Sequence, residues 1–400
     1  MYWELATCTG CMCGIFKLYN YENRKVKSNF REIVEKAGLF NNNHQSLRVR
    51  KIDNLEYGYN LKIGVPYGIG LEDIEKLKDI LLTNTGAKDI VFNRLENKSM
   101  IDITFITKPF ENIKYEPTKL KPYEIYIGYT YSKNVIVDMN KFPHVLIGGD
   151  TGTGKSRLLL VILTNLIYNS NIYIHLLQVR KNDLGVFKNC KQVLSYSKSL
   201  LDVRNSLEKI DVELQRREIL IDNTKGIYNV EDFNKKNYYK LKYNYVVIEE
   251  FSFLNISKGD SKEEKKIKSE CLRYIKNLVN VGRSSGMFLI TSLQKPTNDS
   301  IPTDIKAQLT TRISLTIKDN PTSIVIMGDN TATLLKEREF ICKTLNIDKG
   351  HTLNIEHEDI TKNIKNSVIE KKVPGVVPEV VPGVKNNLNN ILSMLNEINK

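Results

Sequence analysis

A chain of 400 residues, 41% of them hydrophobic, is long enough for two or three domains with buried cores, and its low glycine and proline content is that of a soluble globular protein rather than a fibrous or low-complexity one. Lys and Arg total 59 against 46 Asp and Glu, a formal charge of +13. That surplus suits a polyanionic partner, nucleic acid or an anionic membrane face, and suits equally a lysine-rich coding bias with solvated side chains. The six cysteines form no paired framework, which fits a reducing compartment and excludes a disulfide scaffold.

The chain opens on a segment, residues 1–20, that holds "CTGCMCG". Cys8, Cys11 and Cys13 would need a fourth ligand to close a metal site, and no partner is visible. The uncharged stretch from Leu5 to Phe16 is short against the roughly 20 residues of a spanning helix, and it has neither a basic leader nor a cleavage site. A soluble chain is expected, with a shallow membrane contact left open.

Residues 21–120 read as a small α+β domain. "LRVRKIDNLEYGYNLKIGVP" alternates like paired strands, and "DIVFNRLENKSMIDITFI" reads as a hairpin. Between them "GLEDIEKLKDILLTNTG" places Leu71, Ile74, Leu77, Ile80 and Leu81 on one helical face and closes at Gly86.

From 121 to 355 buried strands alternate with helices, the pattern of an α/β domain with a central, mostly parallel sheet. "HVLIGG", "IYIHLLQV", "YNYVVIEEF", "MFLITSLQKP" and "TRISLTI" are the strands. "KSRLLLVILTNLIYN" is a helix apolar on most faces, "SLLDVRNSLEKIDVELQRREILI" is long and amphipathic, and "CLRYIKNLVNVGRSSG" ends in a basic, glycine-closed corner. Residues 257–270, "SKGDSKEEKKIKSE", mix both signs of charge and read as a solvated insertion or, less simply, as a loop that contacts a polyanion. "KGIYNVEDFNKKNYYKLKYN" interleaves lysine and tyrosine and reads as a surface helix, or as a stretch that tracks a nucleic-acid backbone.

Residues 356–400 are polar. "VPGVVPEVVPGV", residues 373–384, is a short repeat whose prolines forbid a helix, hence a spacer. The final "LNNILSMLNEINK" carries a stripe of Leu388, Ile391, Leu392, Leu395 and Ile398, too short to be stable alone, which either docks on a partner or packs on its own body.

The chemistry is carried by Gly149-Asp150-Thr151-Gly152-Thr153-Gly154-Lys155-Ser156, which satisfies G-x-x-x-x-G-K-[ST] behind a strand and ahead of a helix. Glycines let successive N–H groups point at one anion, and the helix N-terminus adds partial positive charge. This loop with the following Arg157 is the expected ATP-binding stretch, with Lys155 on the β and γ phosphates and Ser156 on Mg²⁺. A neighbouring strand must then supply carboxylates. Glu249 and Glu250 emerge at the end of "YVVI", where open α/β sheets place ligands. Glu249 is assigned to Mg²⁺ and Glu250 to activation of the attacking water. Gln294, ending the next strand, is placed to sense the γ phosphate.

With these residues in order, the block 121–355 resembles the FtsK/SpoIIIE family of DNA-pumping ATPases, in the RecA-like additional-strand group of P-loop proteins. "IGYTYSKNVIVDMNKFPHVLIGGDTGTGKS" resembles its entry segment, "QVRKNDLGVF" its Asp-Pro-Lys-x-x-Glu-Leu stretch, and "YNYVVIEEF" its second nucleotide motif. "VGRSSGMFLITSLQKP" and "IKAQLTTRISLTI" resemble the segments that follow. The resemblance implies a homo-hexameric ring around double-stranded DNA, with ATP between subunits. It is similar to coupling proteins of Gram-positive conjugative elements, which carry a small α+β module before the motor. Relaxosome or secretion-channel proteins would then meet the C-terminal tail or the N-terminal domain. A cytoplasmic location, with recruitment to the inner face of the membrane left open, goes with it.

Departures from the family pattern are visible. Glu249 stands where Asp is usual, Gln178-Val179 replaces Asp-Pro, and Pro321-Thr322-Ser323 replaces Ser-Arg-Thr. With that arginine gone, Arg283 and Arg312 are the candidates for an arginine acting in trans. The family's C-terminal winged helix and membrane helices have no counterpart in these residues. Two other readings stand beside the transfer motor: a chromosome- or phage-DNA segregation or packaging motor, and a slowly hydrolysing, nucleotide-gated module that binds DNA or protein without pumping.

Overall fold

The computed structural model describes residues 23–95, 99–108, 113–131, 133–169, 171–179, 182–294 and 300–369. The Cys8–Cys11–Cys13 cluster, the proline repeat, the C-terminal apolar stripe and Arg180 lie outside the described residues. The chain divides into two compact units, Met1–Glu111 and Asn112–Lys400.

In the first unit residues 23–36 are helical (α1), followed by β1 (Arg48–Leu55), β2 (Gly58–Gly64), α2 (Leu71–Glu75), α3 (Lys78–Thr85), β3 (Asp89–Arg94) and β4 (Met100–Ile106). The strands form one antiparallel sheet in the order β1-β2-β4-β3. The helix expected over residues 71–86 is two short helices instead. The chain turns at Lys76 and Leu77, so Ile74, Leu77 and Leu81 still reach the core while Ile80 is 42% exposed. Gly86, at φ 69°, closes α3 as expected.

The second unit begins earlier than residue 121. Backbone N–H groups of Thr118 and Leu120 donate to the side-chain oxygens of Asn165 and Asn169 at 2.8 and 3.0 Å, and Tyr115 N–H donates to Asn354 O at 2.7 Å. These bonds tie residues 113–120 to the larger body. The unit also runs past residue 355: α10 (His357–Ile364) packs on α4 (Lys155–Asn169), and Lys191 N–H donates to Ser367 O at 2.8 Å.

Its elements are β5 (Glu124–Tyr129), β6 (Asn134–Asp138), β7 (Val145–Gly148), α4 (Lys155–Asn169), β8 (Ile172–Leu177), β9 (Val193–Ser197), α5 (Leu200–Asp222), α6 (Val230–Lys236), β10 (Tyr243–Ile248), α7 (Lys262–Ser285), β11 (Met287–Leu293), α8 (Thr303–Gln308), β12 (Thr311–Leu315), α9 (Asn320–Met327), β13 (Glu339–Lys343), β14 (Ile347–His351) and α10. Ten strands make one sheet, ordered β6-β5-β14-β13-β12-β7-β11-β10-β8-β9. The run from β12 to β9 is parallel, and β13, β14, β5 and β6 extend it antiparallel. Every residue of β7, β10 and β11 is buried, which is why these strands read as largely apolar runs interrupted only by Asn244, Thr291 and Ser292.

α5 and α7 pack together on this sheet, burying Val203, Leu207, Ile210, Leu214, Cys271, Ile275 and Leu278 in one cluster. Each fully buried aliphatic side chain there contributes about 1.5–3 kcal/mol. α7 also corrects the reading of residues 257–270 as a loop. Ser261 caps the helix by accepting from Glu264 N–H at 3.1 Å, Glu264 returns the bond, and the charged run forms the first turns. Both signs of charge mark the solvated face of a helix, with Ile267 starting the buried stripe. In the lysine–tyrosine stretch only Val230–Lys236 is helical, capped by Asn229. Among the described residues no helix is long and apolar enough to cross a membrane.

Gly282 sits inside α7, where alanine normally stabilises by about 0.5–1 kcal/mol. Here a Cβ would overlap the Met287 carbonyl oxygen. Gly282→Ala is therefore expected to destabilise by about 1–3 kcal/mol, read as a melting temperature lowered by several degrees in a thermal scan; an unchanged or raised value would refute this packing.

Candidate nucleotide site

β7 delivers the chain to the loop at the carboxyl edge of the parallel strands. Gly148 faces α9 so closely that a Cβ would overlap the Ile326 side chain. Gly149, Gly152 and Gly154 have φ of 151°, 83° and 107°, backbone that favours glycine. Around Gly152 and Gly154 the space is open, so the loop is a cradle rather than a packed turn. It is braced from one side. Asp150 N–H donates to Thr316 O at 3.2 Å, Asp150 Oδ2 accepts from Lys318 N–H at 3.0 Å, and Thr153 Oγ1 donates to Asp150 O at 2.8 Å.

α4 starts at Lys155. That side chain is 5% exposed and its ammonium donates to the carbonyls of Gly149 and, at 2.8 Å, Asp150. Ser156 Oγ donates to Asp183 Oδ2 at 3.0 Å. Arg157 turns its guanidinium to Asn354 Oδ1 at 3.2 Å, so its side chain is committed to a different neighbour from the loop.

One strand, β11, lies between β7 and β10. In register, Ile248 is level with Thr291, Thr291 with Leu146, and Leu293 with Gly148. Strands about 4.8 Å apart place the end of β10 about 10 Å from the end of β7, on the same edge. There Glu249 is 2% exposed, donates its N–H to Leu177 O at 3.2 Å, and takes the Ser292 hydroxyl on its carbonyl. Glu250 is half-buried, and both its carboxylate oxygens accept the backbone N–H of Gln294, at 3.2 and 3.1 Å. The two strand ends expected to cooperate are thus directly bonded.

Arg283 and Arg312 hydrogen-bond backbone carbonyls outside the loop. Arg283, near the end of α7, donates to Asn140 O at 2.7 Å beyond the opposite edge of the sheet. Arg312 lies in β12 level with Leu146 and donates to Ile326 O at 3.3 Å.

Asp183, Gln178 and Tyr196 were not singled out as site residues from sequence. Gln178 is fully buried beyond the end of β8; its Nε2 donates to Tyr196 OH at 2.8 Å, and its Oε1 accepts Leu184 N–H at 3.4 Å. Burial, and behind it the charge of Glu249, raises the Tyr196 hydroxyl's pKa against the lowering effect of Gln178. The only local signal was "QVRKNDLGVF", where Asp183 falls at the family's glutamate position. The donors at the edge, a serine hydroxyl and carboxylates, are all hard oxygen ligands of the kind Mg²⁺ takes.

A glycine cradle at a helix mouth, a carboxylate strand on the same sheet edge and one strand inserted between them define a P-loop ATPase domain of the additional-strand type. The FtsK/SpoIIIE family model matches residues 121–327, more than half of the chain, and the chain belongs to that family. Its relatives include the DNA translocase FtsK of Lactiplantibacillus plantarum, 26% identical over 296 residues that cover 68% of this chain and 36% of the relative. The DNA translocase FtsK of Borreliella burgdorferi is 27% identical over 215 residues, covering 51% and 26%. The chain therefore spans roughly a third or less of the length of these two relatives. Among solved structures, the pCW3 conjugation coupling protein TcpA, in its monomer form with ATPγS, superposes with a TM-score of 0.62 at 19% identity over 86% of this chain and 99% of that one. The cytoplasmic domain of the type VII secretion ATPase EccC from Thermomonospora curvata gives 0.53 at 16% identity over 67% and 34%. These likenesses are of fold.

Proposed function

We propose that the chain is an ATP-hydrolysing motor that translocates double-stranded DNA, serving the transfer of a conjugative element. The observation that carries the motor reading is the bonded pair of strand ends, Glu250 to Gln294, on the same edge as the phosphate loop. The family's DNA translocases point to the substrate. The match to a conjugation coupling protein over nearly its whole length supports the transfer context.

In this reading the loop N–H groups and Lys155 hold the phosphates, Glu250 takes the proton of the attacking water, and Gln294 reports the γ phosphate to Glu250 through their shared bond. Ser156 and Glu249 would hold Mg²⁺, which neutralises phosphate charge. The working form is a cytoplasmic homo-hexamer with nucleotide between subunits. An arginine from the neighbouring subunit, Arg283 or Arg312, completes the site. Relaxosome or channel proteins engage the N-terminal unit or the tail.

A ring that passes any sequence must hold phosphates rather than bases, so DNA-stimulated ATPase should be salt-sensitive. Duplex DNA is expected to raise ATP turnover several-fold, with the DNA concentration needed rising at least about tenfold between about 50 and about 200 mM salt. A salt-indifferent response would replace DNA with a protein partner. The buried Glu249 and the absent Ser-Arg-Thr arginine favour one other reading, a nucleotide-gated DNA-binding module. Triplex displacement separates the two: the module binds duplex DNA without stripping the third strand.

A further inference from the structure

The hydrogen bond from Ser156 to Asp183 spans 27 positions of sequence and joins the phosphate loop to the turn after β8. Nothing in the roles assigned above uses it. A serine hydroxyl has one hydrogen and two lone pairs. With the hydrogen given to Asp183 Oδ2 at 3.0 Å, the lone pairs remain for a cation, and the carboxylate's charge makes the oxygen a stronger ligand.

The turn that carries Asp183 is anchored on both sides. Leu184 is fully buried and its N–H donates to Gln178 Oε1 at 3.4 Å. Asn182 Oδ1 accepts Tyr196 OH at 2.9 Å, and Asn182 O accepts Gly185 N–H at 2.9 Å. Gln178, itself without exposure, links Tyr196 to Leu184. Asp183, beside these anchors, is exposed as Asn182 is, whereas Glu249 is 2% exposed.

We propose that Asp183 is a metal-positioning residue: it orients the Ser156 hydroxyl toward Mg²⁺ and adds a second negative charge beside the ion, sharing the task assigned to Glu249. This rests on the nucleotide site described under the proposed function. It accounts for the anchored turn and for the tolerance of a longer, buried Glu249 at the place of the usual aspartate.

The test is Mg²⁺ titration of mant-ATP binding to the full chain, from an EDTA baseline, for the wild type, Asp183→Asn and Asp183→Glu. Asparagine keeps an oxygen that accepts the Ser156 hydroxyl, so it preserves the turn and removes the charge. The expected result is a half-saturating Mg²⁺ concentration about tenfold higher in Asp183→Asn, metal-free nucleotide affinity equal to or tighter than wild type, and partial recovery in Asp183→Glu. An unchanged Mg²⁺ midpoint in Asp183→Asn overturns the inference. So does an equal loss of metal-free and Mg²⁺-supported binding, which would make Asp183 a support of the loop only. A wild type that binds no mant-ATP sinks the nucleotide site itself; Mg²⁺-dependent wild-type binding with an indistinguishable asparagine variant sinks only the role of Asp183.

Discussion

Lys155→Ala is expected to weaken ATP binding at least about a hundredfold. Lys155, 5% exposed, sits at the mouth of α4, and its ammonium is held by the carbonyls of Gly149 and Asp150. It is therefore already placed within the turn of the cradle, and little conformational freedom is lost when it engages phosphate. Two charge-assisted hydrogen bonds at about 1.5–3 kcal/mol each amount to two or more decades in affinity. Equilibrium binding of a fluorescent ATP analogue reads the loss. Thermal unfolding of the variant near the wild-type temperature shows that the domain is intact, because the strand, the glycine turns and the apolar face of α4 do not depend on the ammonium. Binding within about threefold of wild type in a folded variant would remove the phosphate loop from the nucleotide site.

Glu250→Gln is expected to lower ATP hydrolysis by about 10²–10⁴ while ATP binding stays within about twofold. The substitution is close to isosteric, and the amide oxygen still accepts Gln294 N–H, so the junction between β10 and β11 survives. What disappears is an acceptor basic enough to take a proton from water. Single-turnover hydrolysis measured beside nucleotide binding separates the two effects. In the motor reading, triplex displacement is lost together with hydrolysis while DNA binding remains. Hydrolysis within about threefold of wild type would move the base elsewhere on the sheet edge and leave Glu250 as a tie between strands.

The parts of the site legible in the sequence are those whose geometry is local. Gly149 to Ser156 form a loop because three glycines occupy positions of positive φ and a helix begins at Lys155, all within one short stretch. Glu249 and Glu250 could be placed because the apolar run 245–248 precedes them, and such a strand in a covered parallel sheet ends at the ligand edge. The same locality misled at residues 257–270. A run of charges hid the start of α7, since the buried stripe there rests on the single Ile267 before Cys271 and Tyr274 take it over. At residues 71–86 the apolar spacing allowed one continuous helix, and the turn at Lys76–Leu77 shows that packing of Ile74 and Leu81 on the small sheet outweighed that spacing.

By itself the sequence determined the kind of chemistry: a glycine cradle, a lysine, a pair of strand-end acids, and the order of strands and helices that carries them. Tertiary structure alone decided which distant residues share that edge. β14, near the end of the second unit, pairs with β5 near that unit's start, and residues 113–120 belong to the second unit because Asn165 and Asn169 bind their backbone. It likewise brought Asp183 to Ser156 and turned Arg283 and Arg312 to the backbone carbonyls of Asn140 and Ile326. The physical reason is that backbone propensity and side-chain periodicity act over a few residues. A hydrogen bond between segments far apart depends on sheet register and on how buried anchors such as Gln178 and Leu184 hold a turn, and no local pattern records that.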